Sequence, residues 1–177
     1  MSPRHPSPPM LQGFPPEARG DARVLVLGSM PGRASLQAGA YYAHPRNLFW
    51  PFMGALLGAG PDLPYGRRLA QLADAGVALW DVLSRCERDG SLDSAIRDAR
   101  ANDFRGFFAA HRGIGTVLFN GAKAESSFQR LVLPTLPGPV PDRRRLPSTS
   151  PAHAARTAED KLAQWRDAFS DAGISLR

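Results

Sequence analysis

Short apolar segments alternate with amphipathic stretches along most of the chain. Three segments rich in Val and Leu have no polar alternation, which predicts strands buried on both faces of a sheet. They are residues 23–28, 77–83 and 116–120. The stretches with helical spacing or density of apolar residues are 47–57, 65–75, 91–103 and 121–132. Strands that alternate with helices indicate βαβ units and a mostly parallel sheet.

The last third of the chain adds a strand and a helix. RRRLPSTS (143–150) predicts a short fourth strand that runs into a turn, and a capping box at Thr157 predicts a final helix to Asp171. The pattern therefore predicts a three-layer α/β/α sandwich with a central four-stranded parallel sheet. We expect one domain over residues 13–177, preceded by a disordered Pro-rich tail over residues 1–12. The aromatic segment 104–111 is predicted to be a turn.

Composition narrows the class of protein. The formal charge of +6 and the sequence pI of about 10.4 suit a polyanionic partner. Cys86 is the single cysteine, which excludes an intramolecular disulfide, a Cys-ligated iron–sulfur cluster and a Cys-based zinc site. The sequence has no apolar run of transmembrane length, and its N-terminal residues have no apolar core of a signal peptide. We expect a soluble, cytoplasmic protein, active at the bacterial nucleoid.

Three loops should meet at the carboxyl edge of the predicted sheet, where α/β proteins bind ligands. The first is GSMPG (28–32), a Gly-rich turn that is neither a Walker A loop nor a dinucleotide-binding fingerprint. Tyr42, His44 and Asn47 follow it before a helix. The second loop contains Asn120, which by itself is more typical of a turn or helix N-cap than of a binding residue.

The third loop, LPSTSPAHA (146–154), is small, rigid and rich in hydroxyl groups. Hydroxyls and free backbone N–H groups suit contacts with phosphates. Three arginines, residues 143–145, precede it. They are explained equally well by phosphate contact and by a solvated edge strand.

Together these segments resemble the uracil-DNA glycosylase superfamily, and its DNA-deoxyinosine (hypoxanthine-DNA) branch in particular. The segments that carry the resemblance are GSMPG, YYAHPRNLFW, VLFNG and LPSTSPAHA, with GFPP upstream and LWDVL and CERDGSLDSAI in the middle. It extends over about residues 13–165. The resemblance implies a small α/β/α sandwich that hydrolyses the N-glycosidic bond of a flipped base with water and without a metal or other cofactor.

The resemblance also implies roles for individual residues. Tyr42 matches the aromatic residue that stacks on the flipped base, and Asn120 matches the asparagine that reads its edge. Asn47 is the candidate for positioning water, because Met30 stands where other branches have Asp or Asn. His44 could assist, but a structural hydrogen bond to a backbone carbonyl is the preferred interpretation. The remaining base-pocket positions are Gly28 and Ser29.

The third loop matches the segment that contacts DNA and helps to expel the base. Its predicted DNA-binding residues are Ser148, Thr149, Ser150, Pro151, Ala152 and His153, together with Arg145. Ala152 and His153 occupy the wedge position. Ser148 stands where another branch has a His that stabilises the leaving base, so that contribution should be weaker here or come from Asn120.

The site residues alone do not determine which base the protein removes. Asn120 can donate to a carbonyl oxygen and accept from the neighbouring ring N–H, a pattern that hypoxanthine and uracil share. It rejects adenine only if a second group prevents its amide from flipping. The resemblance to the deoxyinosine branch implies a monomeric hypoxanthine-DNA glycosylase acting on double- or single-stranded DNA. The alternatives are a uracil or mismatch-specific glycosylase, a catalytically dead lesion-binding protein, and a small nucleotide-handling enzyme.

Overall fold

The computed structural model describes residue 4 and residues 6–177. The strands are β1 (Met10–Gln12), β2 (Val24–Gly28), β3 (Val77–Asp81), β4 (Leu83–Glu87), β5 (Arg97–Ala101), β6 (Thr116–Asn120) and β7 (Asp142–Leu146). The α-helices are α1 (Arg33–Ala38), α2 (Phe49–Leu57), α3 (Tyr65–Asp74), α4 (Phe104–Ala110), α5 (Ala122–Ser127) and α6 (Ala158–Asp171). A π-helical turn, Phe128–Val132, continues α5. Two short 3-10 turns span Asp93–Ala95 and Leu133–Thr135.

The central sheet has the strand order β3-β2-β6-β7, and all its pairs are parallel. β2 and β3 are buried at every position, as their lack of polar alternation predicted. Val24 and Val26 pack with α2, α3 and α6 on one face, while Leu25 and Leu27 pack with α4 and α5 on the other. The predicted α/β/α sandwich with a four-stranded parallel sheet is confirmed.

A second, smaller sheet was not predicted. β1, β4 and β5 form an antiparallel sheet in the order β1-β4-β5. The segment predicted as one strand over 77–83 divides at Val82, and its second part becomes β4. The predicted helix over 91–103 is wrong, because residues 97–101 form the exposed edge strand β5 and Ile96 is buried beside it. Pairing with β4 overrides the local preference of this polar segment.

The predicted aromatic turn at 104–111 is also wrong, since it contains α4. Asp103 begins this helix by accepting a hydrogen bond from the backbone N–H of Gly106, and Phe104 and Phe107 place one buried face toward the core. The final helix begins as predicted, with the Thr157 hydroxyl accepting from the backbone N–H of Asp160.

The end of the predicted tail is ordered by pairing. Residues 10–12 form β1, which pairs with β4, so the described part of the segment 1–12 is not wholly a free tail. Residues 1–3 and 5 of that prediction lie outside the described residues. Among the described residues, no helix combines the length and the apolar character needed to cross a membrane.

Candidate active site

A cavity of about 230 Å³ opens at the carboxyl ends of the central strands. β2, β3 and β6 end there at Gly28, Asp81 and Asn120. The residues predicted for the site that line this cavity are Gly28, Ser29, Met30, Tyr42, Asn47, Asn120, Ser148, Thr149, Ser150, Pro151 and Ala152. The structure therefore brings together the three loops that the sequence placed at one edge.

Hydrogen bonds from two neighbouring segments hold the first loop in place. The carbonyl of Gly28 accepts from the backbone N–H of Val82 at 2.8 Å, and the guanidinium of Arg88 donates to the carbonyl of Pro31 at 2.5 Å. Residue 28 has to be Gly, because a Cβ there would lie 2.4 Å from Oδ1 of Asp81 and 3.2 Å from Oη of Tyr42. This close approach brings the Asp81 carboxyl to the backbone of the loop.

Asn120 is fixed in one orientation by Thr149. The backbone N–H of Thr149 donates to Oδ1 of Asn120 at 2.9 Å, and Nδ2 of Asn120 donates to Oγ1 of Thr149 at 2.9 Å. A backbone N–H can only donate, so the amide cannot flip without losing that bond. The second Nδ2 hydrogen remains free to donate to a ligand in the cavity.

Tyr42 lies between the core and the cavity. Its ring stacks on Phe49 with centroids 4.0 Å apart, and its φ of 55° is in the left-handed region. Its buried hydroxyl has no hydrogen-bond partner among the described residues. Burial, reinforced by the nearby carboxyl of Asp81, raises the pKa of Tyr42, so this phenol is neutral.

Asn47 has a structural bond as well as a place in the cavity. Its Oδ1 accepts from the backbone N–H of Phe49 at 2.9 Å, at the start of α2, so its Nδ2 is the end of the amide that this bond leaves unused. Nδ1 of His44 accepts from the backbone N–H of Arg46 at 3.1 Å. The predicted bond from His44 to a backbone carbonyl is therefore wrong, because the ring nitrogen is the acceptor.

Met30 lines the cavity but is nearly buried, and it also packs in the core with Val82 and Leu83. A thioether has no group that could activate water. The polar group beside it is Ser29, whose hydroxyl donates to Oδ1 of Asp93 at 2.6 Å. Ser29 and Asp93 thus tie the first loop to the segment that follows β4.

The third loop is folded back by local hydrogen bonds. The hydroxyl of Ser148 accepts from the N–H of Ser150, and the hydroxyl of Ser150 accepts from the N–H of Ala152. The carbonyl of Thr149 accepts from the N–H of Leu48 at 3.0 Å, which joins this loop to the start of α2. Residues 151–153 are exposed, and their role in DNA binding stays a prediction.

Two predicted DNA contacts are not part of the cavity wall. His153 is exposed, and Arg145 is an exposed residue of β7 that lies 3.6 Å from the carboxylate of Glu125. Such a surface pair contributes little to stability, which leaves Arg145 available for a phosphate.

Lys161 closes the third loop, and the sequence analysis missed it. The side chain is 3% exposed, and its Nζ donates to the carbonyl of Ser148 at 2.7 Å and to that of His153. Burial lowers the pKa of this ammonium. Lys161 thus holds both ends of the predicted DNA-contacting loop against α6.

Replacing Lys161 with Met should weaken DNA binding more than the chemical step. The two carbonyls would lose their donor and the loop its closure, while the cavity floor would be untouched. We expect KM for lesion DNA to rise severalfold with a smaller change in kcat, measured by steady-state cleavage. Arg166→Met is the control, because it removes one positive charge from the exposed part of the same helix. Equal effects of the two substitutions would mean that only net charge matters.

The sequence analysis also missed Asp81. Its side chain is 4% exposed, lines the cavity, and has an oxygen, Oδ2, without a hydrogen-bond partner among the described residues. Burial raises the pKa of Asp81 to about 7, Asp93 adds to the rise, and Arg88 opposes it. The feature of the sequence that could have identified Asp81 is a single carboxylate within the apolar segment LWDVL.

The raised pKa predicts how stability depends on pH. Between about pH 4 and 7 the unfolded chain has Asp81 ionised while the folded chain keeps it protonated, so unfolding releases a proton. The contribution of Asp81 to the free energy of unfolding falls as pH rises through this window and stays unfavourable above it. Asp81→Asn should therefore stabilise the protein by a few kcal/mol more at pH 8 than at pH 4, measured by urea unfolding. A gain that is the same at both pH values would contradict the assignment.

Comparison with known proteins agrees with the geometry of this site. Residues 15–172 match the family model of the uracil DNA glycosylase superfamily. Two curated relatives, from Methanosarcina barkeri and Methanosarcina acetivorans, are each named hypoxanthine DNA glycosylase. Each is 33% identical over 159 residues, which is 89% of this chain and 97% of the relative.

A solved structure shares the fold. It is a solution NMR structure of a Methanosarcina acetivorans protein described as a candidate uracil DNA glycosylase, with a TM-score of 0.77 and 30% sequence identity. The match covers 93% of this chain and 99% of that one. The chain belongs to the uracil DNA glycosylase superfamily. It is a DNA glycosylase, and its substrate is DNA.

Proposed function

We propose that this chain is a monofunctional glycosylase that removes hypoxanthine from DNA. The observation that carries the proposal is the fixed amide of Asn120, which presents one N–H donor to the cavity. This donor fits the O6 carbonyl of hypoxanthine and opposes the amino group of adenine. The names of the two curated relatives support the same base.

The reaction begins when the damaged nucleotide leaves the duplex. Flipping costs a few kcal/mol, and least where pairing is already weakened, as it is at hypoxanthine. We expect the exposed segment 151–153 to fill the gap that the flipped base leaves in the duplex. Tyr42 then stacks on the base, a contact that contributes about 1–3 kcal/mol. Because Phe49 supports the other side of the Tyr42 ring, the stacking surface is already in position.

Bond cleavage needs a positioned water and donors for the charge that develops on the leaving base. Nδ2 of Asn47 is the group available for water, since Oδ1 already accepts from the backbone. Asn120 donates to the leaving base. Fixed donors of this kind act without reorganisation during the reaction.

A lyase step on the abasic product needs an amine nucleophile. The sequence has two lysines: Lys161 is buried against α6 with its ammonium bound to two carbonyls, and Lys123 lies outside the cavity lining. This supports hydrolysis without strand cleavage. We also propose that the protein is a cytoplasmic monomer that acts on both double- and single-stranded DNA.

The test is single-turnover cleavage of end-labelled oligonucleotides that each carry one deoxyinosine, deoxyuridine, deoxyxanthosine or normal deoxyadenosine. Abasic sites are opened with alkali. We expect breaks at deoxyinosine well above those at deoxyuridine, and none without alkali. Preference for deoxyuridine would move the chain to a uracil or mismatch-specific role, which the shared base-edge pattern and the match to the NMR structure also favour. Binding without any cleavage would indicate a catalytically inactive lesion-binding protein.

A further inference from the structure

Two buried polar atoms that face the cavity have no hydrogen-bond partner among the residues that the structure describes. They are Oδ2 of Asp81 and Oη of Tyr42. A buried polar atom without a hydrogen bond costs free energy, and native proteins seldom leave one without a reason. Here both face a cavity large enough for a ligand, so a bound molecule is the natural source of the missing bonds.

The position of Asp81 identifies the part of the ligand that it meets. A flipped nucleotide enters base first, while its sugar stays near the mouth, attached to the DNA. Asp81 ends β3 beside Gly28 in the parallel pair, and its carboxyl fills the space that a Cβ on residue 28 would need. At 4% exposure it is among the least accessible polar groups of the lining, so it meets the edge of the base rather than the sugar.

Asp81 complements the fixed amide of Asn120. Asn120 offers a donor at the end of β6, whereas an ionised Asp81 offers only acceptors at the end of β3. Both strands flank β2, so donor and acceptor lie on either side of the Gly28 position. Hypoxanthine and uracil carry a carbonyl next to a ring N–H, whereas their amino parents, adenine and cytosine, carry an amino group next to a ring nitrogen lone pair.

We propose that Asp81 is a base-reading residue, whose carboxylate accepts the ring N–H beside the carbonyl that Asn120 binds. For hypoxanthine these groups are N1–H and O6. Adenine would set its N1 lone pair against the carboxylate and its amino hydrogens against the Asn120 amide. The two residues thus select hypoxanthine over adenine, and this inference rests on the proposed function.

The charges that face Asp81 set the pH at which it reads the base. Asp93, from the turn after β4, disfavours its ionised form, while Arg88, at the end of the β4 segment, favours it. The Tyr42 hydroxyl, which also faces the cavity, stays neutral. Asp81 therefore ionises near neutral pH, so the rate of hypoxanthine release should rise with pH through about 7.

The test compares Asp81→Asn and Asp81→Ala with wild type on deoxyinosine and deoxyadenosine in the same oligonucleotide. An Asn at position 81 can turn either its oxygen or its amino group to the base. We therefore expect its ratio of hypoxanthine to adenine release to fall at least about tenfold. Asp81→Ala should release hypoxanthine about tenfold more slowly than wild type. The rise in rate near pH 7 should vanish in both variants. Asp167→Asn, an exposed carboxylate on α6, is the control and should match wild type.

The outcomes separate this inference from the proposed function. If wild type releases no hypoxanthine, the proposed function fails. If wild type releases hypoxanthine while Asp81→Asn keeps both the wild-type ratio and the wild-type pH profile, only the role of Asp81 is wrong. Asp81→Asn has nearly the same shape as the native residue and removes a buried acid, so a thermal unfolding curve should show it folded.

Discussion

Replacing Asn47 with Ala should reduce hypoxanthine release by a factor on the order of 10²–10³ and leave DNA binding nearly unchanged. The expected size is that of losing one fixed donor in an enzyme active site. Asn47 lines the cavity with its Nδ2 unclaimed by the backbone, and Met30 cannot position water in its place. The rate is measured under single-turnover conditions, and binding by fluorescence anisotropy on the same oligonucleotide.

A structural effect of this substitution has to be separated from a chemical one. Asn47 also accepts from the N–H of Phe49 at the start of α2, and losing a hydrogen bond of this kind costs about 1 kcal/mol of stability. Asn47→Ser is the matched control, because its hydroxyl can accept that N–H but has no amide. If Asn47 positions water, both variants are slow. If Asn47→Ser restores the wild-type rate, the residue acts only through the helix.

Replacing Asn120 with Ala should lower both the rate and the selectivity. The variant loses the donor to the carbonyl and to the charge on the leaving base, and we expect a loss on the order of 10²-fold for hypoxanthine. Release of adenine should not fall by the same factor, because adenine gains nothing from that donor. Release of hypoxanthine, uracil, xanthine and adenine is measured from one oligonucleotide context.

Thr149 gives the control for orientation. Thr149→Val keeps the backbone N–H that binds Oδ1 of Asn120 and removes the hydroxyl that accepts from Nδ2. This variant should keep most of the rate and most of the selectivity, because the backbone bond alone defines the orientation. Unchanged preference among the bases in Asn120→Ala would remove Asn120 from the base-reading role.

The central sheet was predictable because the apolar composition of its strands indicates burial on both faces. β2, β3 and β6 are apolar without alternation, which only a strand covered on both faces shows. β5 could not be predicted, since RDARA is polar and is a strand only because it pairs with β4. Its identity as a strand is a property of the tertiary structure rather than of local propensity.

Some residues of the site could likewise be predicted from the sequence, and others could not. The sequence predicted three of these residues because they lie in motifs that the family resemblance identifies: Tyr42, Asn47 and Asn120. Asp81 and Lys161 were missed because a charged residue in a sequence is usually solvated, and burial becomes visible only when the loops are assembled. The hydrogen bonds from Thr149 also depend on the folded chain, and they answer the question of amide orientation that the sequence left open.

The most direct test of the account is to identify the base released from a deoxyinosine oligonucleotide by mass spectrometry, using wild type and Asn47→Ala purified in the same way. The account predicts free hypoxanthine in single-turnover amounts from wild type, and at least about 100-fold slower release from the variant. No hypoxanthine from wild type, or the same rate from both proteins, would contradict the claim that this cavity is a hypoxanthine-releasing active site.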